Sequence, residues 1–437
     1  MRKPFDRTTD SGARLQRLAM KQIVPLALSI GLFVLLQDKI AGLDFPAIRA
    51  GLGRVSPVSW AAAACFSAVS FWAVGRYDRV VHGMTGTGIT GAEATRAGAT
   101  SIAVAQTLGF GVISGALVRW RMLPSLTLLA ALRLSLTVAV SFLAGWAVIT
   151  AGAVLFLPGN LPFPAARPLA GAVLLLAGLF GAASLWRPAF LARICLPSLR
   201  AMGLVLMLVL LDTSMAGAAL YLLLPAGSEV DLAPFLAAFL IALGAGLVMG
   251  TPGGVGPFEV MLISLLPALD QHALLSAILA FRLVYYALPA MLAAVEVIRG
   301  PKPQSTDIKP VITPAPTGDG LKTLLSRADD PEFGLLRLGR LSLLDGQAMV
   351  APLGQSLVML RGAMSAPSAP QDLLARLDGA ARARFLGPCL YKAPPRLAVA
   401  ARRAGWQVVP IARDAWIDPQ AWKPEVSSEQ RLLRPSA

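Results

Sequence analysis

The chain has few of the residues that build metal, redox or disulfide sites, with three cysteines and two histidines in 437 residues. Cys65, Cys195 and Cys389 lie far apart and form no paired motif, so neither a disulfide framework nor a zinc site is indicated. His82 and His272 are too few for a histidine-based metal site. We therefore expect neither a metal ion nor another cofactor.

The common nucleotide and nucleophile signatures are absent as well. The sequence has no P-loop, no G-x-G-x-x-G after a predicted strand and no G-x-S-x-G. The segment PGGVGPFE, residues 252–259, lacks the Lys and Ser/Thr that make a phosphate loop specific. The membrane part is thus not expected to use ATP by itself.

Charged residues are scarce, at 14% of the chain against 56% hydrophobic residues. The apolar residues are concentrated between about 23 and 298, in repeated runs that reach the roughly 20 residues a membrane helix needs. Basic residues cluster in short loops beside these runs, as the positive-inside rule predicts, and they account for the net charge of +15. The composition predicts a polytopic α-helical membrane protein that attracts anionic lipid and does not bind DNA.

Six segments are predicted to be full spans, at about 22–37, 57–75, 126–157, 168–186, 201–224 and 278–298. Residues 1–21 are basic, and no A-x-A-type cleavage site follows the first apolar run, so we expect an uncleaved helix with a cytoplasmic N-terminus. Residues 22–298 would form the transmembrane domain and 299–321 a Pro-rich linker.

Two further apolar stretches, at about 97–117 and 232–267, are rich in glycine and are predicted to be re-entrant or broken helices. Arginines flank the first on both sides, which places both its ends in the cytoplasm, whereas uncharged and acidic loops place the second outside. Broken segments that enter from opposite sides are typical of inverted repeats, which meet near the midplane at a substrate site. A half-helix starting at Gly256 would direct its positive end at an anion.

The remaining residues, 322–437, are predicted to form a small cytoplasmic α/β domain. Residues 341–353 alternate around Asp345-Gly346 and predict a β-hairpin. Further strands are expected at 355–362, 385–391 and 406–411, with helices near 370–384 and 394–404.

Ionisable residues within membrane segments are the main functional candidates, because a charge at the bilayer centre costs roughly 2.5–3.5 kcal/mol on insertion scales. They are Asp78, Arg119, Arg121, Asp212, Glu259 and Arg282. With Tyr285 and the glycines of the break, Gly253, Gly254 and Gly256, they form the predicted lipid-binding or translocation set. No catalytic residue is assigned.

Each candidate also has a structural interpretation, and both interpretations are open at this stage. The arginines at 119 and 121 would clamp a lipid phosphate or simply set the topology. Asp78 would pair with Arg76 or Arg79 at the interface, and Asp212 would hydrogen-bond an adjacent helix. Glu259 would cap its half-helix, with Arg282 as its salt-bridge partner.

Several blocks of sequence together resemble one family. GRYDRVV (75–81), QTLGFGVISGALVRWRML (106–123), TPGGVGPFEVMLISLLP (251–267) and LAFRLVYYALP (279–289) resemble the transmembrane region of the lysylphosphatidylglycerol synthases, also called multiple peptide resistance factors. Residues 335–366 and 405–434 resemble the start of that family's cytoplasmic aminoacyltransferase region, a tandem of acetyltransferase-like folds.

The resemblance implies a division of labour. The transmembrane part of this family moves aminoacylated phosphatidylglycerol to the outer leaflet, and the cytoplasmic part transfers lysine or alanine from aminoacyl-tRNA to the lipid. The present sequence ends within the first of the two cytoplasmic folds, so we expect the catalytic and tRNA-binding fold to be missing from it. A separate aminoacyltransferase subunit would then be a partner, and tRNA is not expected to bind this chain alone.

The leading interpretation is a multi-pass protein of the bacterial cytoplasmic membrane, with both termini in the cytoplasm, that translocates an anionic or aminoacylated phospholipid. Arg119, Arg121 and Arg282 would contact the head group, and the carboxylates would face its amine. Two alternatives are open: the membrane subunit of a split phosphatidylglycerol lysyltransferase or alanyltransferase, and a non-catalytic lipid-binding scaffold. A homo-oligomer is compatible with each of them.

Overall fold

The computed structural model describes residues 53, 55–108, 111–157, 164–186, 196–224, 230–249, 252–301, 312–328, 331–339, 341–364 and 369–411. The basic N-terminus and the predicted span at 22–37 lie outside these residues. So does most of the segment 405–434, which carries part of the family resemblance.

The membrane part is helical. Its helices are α1 (Pro57–Thr85), α2 (Gly91–Leu108), α3 (Gly111–Met122), α4 (Leu128–Phe156), α5 (Ala166–Trp186), α6 (Leu199–Leu222), α7 (Leu232–Met249), α8 (Pro257–Leu265), α9 (Gln271–Phe281) and α10 (Leu288–Arg299). A π-helix, Arg282–Ala287, joins α9 to α10, and a 3₁₀ turn, Pro252–Gly254, precedes α8.

Five helices of the described residues are long and apolar enough to cross a membrane: α1, α4, α5, α6 and the continuous Gln271–Arg299. They match five of the six predicted spans, and the protein is thus polytopic. Polar caps fix where several begin. Ser56, Thr127 and Ser198 each accept a hydrogen bond from a backbone N–H in the first turn of α1, α4 and α6. α1 ends later than predicted, at Thr85, where Gly86 adopts a left-handed conformation.

The two glycine-rich stretches both fold back on themselves, as predicted. In the first, α2 and α3 pack together so closely that a Cβ added to Gly115 would lie 3.7 Å from the Cβ of Ala105. In the second, a Cβ added to Gly246 of α7 would lie 3.1 Å from the Cα of Gly254. We call α2–α3 hairpin 1 and α7–α8, with the turn between them, hairpin 2.

The helices divide into two similar halves. Each half consists of a long helix, a hairpin and another long helix: α1, hairpin 1 and α4, then α6, hairpin 2 and α9–α10, with α5 between them. The first helices of the halves run antiparallel, because Ala63 packs near Ala216 and Ala219, whereas Val81 packs near Ala201. An antiparallel pairing of corresponding helices is what an inverted repeat requires.

The C-terminal unit contains one sheet of five strands in sequential order. They are β1 (Ile312–Pro314), β2 (Ser342–Leu344), β3 (Ala348–Leu353), β4 (Ser356–Ala363) and β5 (Gly387–Tyr391). All pairs are antiparallel except β4–β5, which is parallel and connected through α12 (Pro370–Ala383). The predicted turn at Asp345-Gly346 is confirmed, since both residues have positive φ between β2 and β3. β1 lies within the segment predicted as a linker.

Helices cover both faces of this sheet. α12 and α13 (Pro395–Arg403) pack on one face through Leu377 and Leu397. α11 (Asp319–Leu325) and a 3₁₀ helix, Pro331–Leu338, cover the other. The carboxylate of Glu332 lies 2.8 Å from Lys392 Nζ and 3.2 Å from Arg361 Nε, and hydrogen bonds from these two cations hold the pKa of Glu332 below its usual value.

The strand predicted at 406–411 does not form. These residues have no strand partner among the described residues, although Trp406 and Val408 pack against the core around α12 and α13. Their alternating pattern therefore reflects side-chain packing on a core, without the neighbouring strand that a ladder needs.

Candidate functional site

A cavity of about 360 Å³ lies where the turns of the two hairpins meet. Hairpin 1 contributes Gln106 and Gly111 to its wall, and hairpin 2 contributes Gly253, Gly254 and Phe258. Most of the wall is apolar. The charged or hydroxyl-bearing side chains on it include Arg119, Ser135, Asp212, Thr213, Tyr285 and Tyr286.

The first charged cluster is the ion pair between Asp78 of α1 and Arg119 of α3. Arg119 Nη2 donates to Asp78 Oδ1, and Arg119 Nη1 donates to Ser135 Oγ over 2.9 Å. Both charged side chains are almost completely buried. His82 approaches the same carboxylate, with Nε2 3.4 Å from Asp78 Oδ2, while its Nδ1 lies 2.7 Å from Thr87 Oγ1. The charge of Arg119 is thus compensated inside the protein.

The second charged cluster holds the break in hairpin 2. Glu259 Oε2 accepts a hydrogen bond of 2.7 Å from the backbone N–H of Gly256, and its Oε1 accepts from Nε and Nη2 of Arg282. Arg282 Nη1 donates to the carbonyl oxygen of Gly253 over 2.9 Å. The Glu259 carboxylate therefore accepts a hydrogen bond from a backbone N–H at the N-terminus of α8. Arg282 links this carboxylate to the turn through the carbonyl of Gly253.

The glycines of the break have a conformational role. Gly253, Gly254 and Gly256 have φ values of 64°, 68° and 97°, in a region that residues other than glycine rarely adopt. Irregular backbone at membrane depth is tolerated where it is buried in protein or lines a cavity, and Gly253 and Gly254 line this one.

Asp212 is the third site and differs from the other two. Its Oδ1 accepts hydrogen bonds from Ser70 Oγ and from Tyr285 Oη, the latter over 3.3 Å. Ser70 Oγ and Tyr285 Oη are themselves 2.8 Å apart. Asp212 is only 6% exposed and forms no ion pair with any residue that the structure describes. It is a cavity carboxylate supported by hydroxyl groups, without a cation.

Aromatic rings surround this carboxylate. Tyr285 stacks on Phe281, with ring centres 4.8 Å apart and planes 16° from parallel, and it contacts Phe71 at 5.4 Å. Tyr286 lies edge-on to both Tyr285 and Phe281. Such faces attract cations as well as apolar groups.

The π-helix explains how adjacent tyrosines both reach the cavity. Its wider turn inserts an extra residue into Gln271–Arg299, and Tyr285 and Tyr286 line the cavity together. Gln106 at the end of α2 donates to the backbone carbonyl of Tyr285 over 3.1 Å, so hairpin 1 contacts the π-helix directly.

Five predicted residues line the cavity: Arg119, Asp212, Gly253, Gly254 and Tyr285. Asp78, Gly256, Glu259 and Arg282 belong to the two charged clusters beside it, and Arg121 belongs to neither. The guanidinium of Arg121 lies beside Gly300, where a Cβ would be 3.0 Å from Nη2, at the end of α10. The ion pair Arg96–Glu296 lies at the same end, and Arg96 Nη2 donates to the carbonyl of Gly300 over 3.2 Å. This region is distinct from the cavity wall.

The remaining predicted residues are brought together, but with different roles from those expected of the arginines. Arg282 is held by Glu259, as its structural interpretation had it. Arg119 is held by Asp78 inside the protein, whereas Asp78 was expected to pair with Arg76 or Arg79 at the interface. Three residues of the site were not among the predicted set: Ser70, Gln106 and Tyr286. Ser70 is 142 positions from its partner Asp212, and a lone serine in an apolar helix gives no signal of such a distant contact.

Comparison with known proteins gives one relative to report. The chain is 25% identical over 292 residues to the uncharacterized protein slr0712 of Synechocystis sp., and the alignment covers 62% of this chain and 89% of that protein. No family model matches the chain. Membership of the lysylphosphatidylglycerol synthase family thus stays a prediction, and the function must be argued from the cavity.

Proposed function

We propose that this protein is a lipid translocase of the bacterial cytoplasmic membrane, moving an aminoacylated phosphatidylglycerol or a related phospholipid with a cationic head group to the outer leaflet. The observation that carries the proposal is the lone carboxylate of Asp212 in a cavity between two opposed hairpins. The two arginines of the site are each neutralised by a carboxylate, which leaves Asp212 as the group with unmet charge.

The charges on and beside the cavity wall favour a cation over an anion. Arg119 and Asp212 line the wall, whereas Asp78, Glu259 and Arg282 lie beside it. Asp78 compensates Arg119 and Glu259 compensates Arg282, so the charge of Asp212 is left over when all five are ionised. An ammonium group would meet Asp212 beside the ring of Tyr285, and the mostly apolar wall suits the glycerol and upper acyl region of a lipid.

This assignment changes the roles expected of the arginines. In the proposed mechanism Arg119 and Arg282 stabilise the hairpins that form the cavity, and the ammonium of the lipid binds at Asp212. Translocation would follow from rocking of one half against the other around the cavity, as inverted repeats allow. The C-terminal unit is assigned no catalytic role, and a separately encoded transferase would supply the aminoacylated lipid.

The test is lipid mass spectrometry on cells with and without the gene, combined with labelling of outer-leaflet amines by a membrane-impermeant reagent. We expect the total aminoacyl lipid to be unchanged and its labelled fraction to fall when the gene is deleted. Asp212→Asn should fail to restore labelling, whereas the same substitution at the exposed Asp231 should restore it.

Two other outcomes would contradict the proposal in different ways. Loss of the total aminoacyl lipid would assign the chain to a split synthase. No change in either quantity when the gene is deleted would favour a lipid-binding scaffold.

A further inference from the structure

We propose that Asp212 binds a proton and the cationic head group alternately, so that the proton gradient drives translocation; this inference rests on the translocase function proposed above. The residues around Asp212 supply the argument. It has two hydroxyl donors, no cationic partner among the described residues, and a position on the wall of the cavity that would hold the head group.

The charged and titratable groups on the surrounding elements do not compensate Asp212. Those nearest the cavity are Tyr77, Asp78 and His82 on α1, Arg119 on α3, Glu259 on α8, and Arg282, Tyr285 and Tyr286 on the π-helix. His82 is directed at Asp78. Arg119 and Arg282 are bound to Asp78 and Glu259. On the other helices packed against α6, Arg133 of α4, Arg167 of α5 and His272 of α9 are exposed, and α7 has no charged residue.

An ionised carboxylate in this position lacks the partner that its burial demands. Taking a charge out of water costs several kcal/mol unless an opposite charge compensates it. Asp212 therefore needs either a covalently bound proton or an ammonium group against its oxygens. One carboxylate can hold either a proton or an ammonium group at a time. Binding of the proton and binding of the head group at Asp212 are therefore mutually exclusive.

The exchange is balanced in atoms and charge. The O–H bond of the protonated Asp212 breaks, its proton passes to water, and the carboxylate left behind pairs with the entering ammonium. On the other side of the membrane the ammonium leaves and a proton from water restores the O–H bond. One positive charge replaces another at each step, and no oxidant, reductant or nucleotide is required.

The hydroxyl cluster can accommodate both states. Ser70 Oγ and Tyr285 Oη are 2.8 Å apart, and either can donate to the other or to Asp212. Reorienting two hydroxyl hydrogens is enough to change the cluster between a protonated and an ionised carboxylate, without moving a helix.

The direction of transport follows from the exchange. A proton moving from the acidic to the alkaline side is replaced by a head group moving from the alkaline to the acidic side. In a respiring bacterium the acidic side is the outside. The proton gradient would therefore drive the lipid towards the outer leaflet, as the proposed function requires.

The experiment uses the full chain in proteoliposomes that contain a small fraction of lysylphosphatidylglycerol. Potassium and valinomycin hold the membrane potential at zero, and a pH difference of either sign is imposed. After rapid return to a common pH, an impermeant amine reagent measures how much of the lipid is in the outer leaflet. Exchange of one proton for one head group predicts an outer-to-inner ratio that changes about tenfold per pH unit, with enrichment on the acidic side.

The variants test whether Asp212 is the residue that exchanges the proton. Asp212→Asn cannot exchange a proton, so its ratio should stay near unity under both gradients. Asp212→Glu, which keeps a titratable carboxylate, should recover the pH-dependent ratio, and the matched Asp231→Asn should behave as the wild type. A pH-dependent ratio in folded Asp212→Asn would overturn the assignment to this residue.

Wild-type protein alone distinguishes the two proposals, even if a variant fails to fold. Lipid that equilibrates between leaflets but ignores the pH difference would overturn proton exchange while leaving the translocase intact. Lipid that does not cross at all, with or without a gradient, would overturn the translocase function and the exchange with it.

Discussion

Gly98 is the residue that allows α2 to approach the buried Asp78–Arg119 pair. A Cβ at this position would overlap the Cβ and Cγ of Asp78, which cannot move away because Arg119 holds its carboxylate. We expect Gly98→Ala to destabilise the protein by about 1–3 kcal/mol, the usual cost of overpacking. The measurement is the temperature at which half of the detergent-solubilised protein remains monodisperse.

The matched control is Gly178→Ala. Gly178 also lies inside a membrane helix, but nothing is within 4 Å of an added Cβ. Because alanine favours a helix over glycine by about 0.5–1 kcal/mol, the control should be neutral or slightly stabilising. Equal stability of the two variants would show that α2 does not pack on Asp78 as described.

For single residues, the chemistry was predictable from the sequence, but most of their partners were not; the Glu259–Arg282 pair is the exception. Asp212 stood out because it is a carboxylate in mid-span, and Glu259 because it follows a broken helix. Whether an arginine is free or neutralised depends on which helices meet, and that information lies in contacts such as Asp78–Arg119, 41 residues apart. That Arg119 is neutralised by Asp78 could only be known from this contact.

The turn of hairpin 2 depends on the planar guanidinium of Arg282. Its fork bonds Glu259 on one side and the carbonyl of Gly253 on the other. Lysine would keep the charge but not this geometry. We expect Arg282→Lys to speed amide hydrogen exchange in residues 252–260 by about tenfold, corresponding to about 1.4 kcal/mol.

Arg133→Lys provides the comparison, because Arg133 is an exposed arginine near the start of α4. Its exchange profile over residues 252–260 should equal that of the wild type. If Arg282→Lys also leaves this profile unchanged, the guanidinium does not hold the turn.

Elements with a strong local signal were predictable, and those without one were not. The glycines and the loop charges predicted both hairpins, and the apolar runs predicted five spans, although α1 extends ten residues beyond its predicted end and the last span begins seven residues earlier than predicted. The π-helix at Arg282–Ala287 was missed because RLVYYA contains no glycine or proline and reads as ordinary helix. The strand expected at 406–411 did not form for a different reason. Its residues alternate as in a strand, but the described residues contain no strand that pairs with it.

Across the whole molecule, the C-terminal unit is attached to the ends of α1, α5 and α6. Ser198 Oγ donates to the carbonyl of Phe385 over 2.7 Å, and Gly83 packs against Ala383 and Phe385. Arg384 lies against Gly86, and burial there lowers its pKa. The contacted end of α1 also carries Asp78 and His82. The C-terminal unit therefore contacts the helix that carries the Asp78 of the Asp78–Arg119 ion pair.

The side chain of Gln355 connects the C-terminal unit to both α5 and α6. Its Oε1 accepts from the backbone N–H of Leu199 over 2.9 Å, and its Nε2 donates to the carbonyl of Ser184 over 3.1 Å. Leu199 is the first residue of α6, so its N–H has no partner within the helix. We expect Gln355→Ala to weaken docking by about 1–3 kcal/mol, the value of two hydrogen bonds at roughly 0.5–1.5 kcal/mol each.

Hydrogen exchange of the intact protein in lipid nanodiscs measures this effect. Gln355→Ala should accelerate exchange at residues 196–201 and 381–386 together, because the two segments face each other across the contact and lose protection in the same opening event. Gln371→Ala, at an exposed position of α12 on the same unit, should leave both segments unchanged. Faster exchange at 196–201 alone would mean that Gln355 only caps α6, and that the unit is held to the membrane domain by the Ser198 and Gly83 contacts without it.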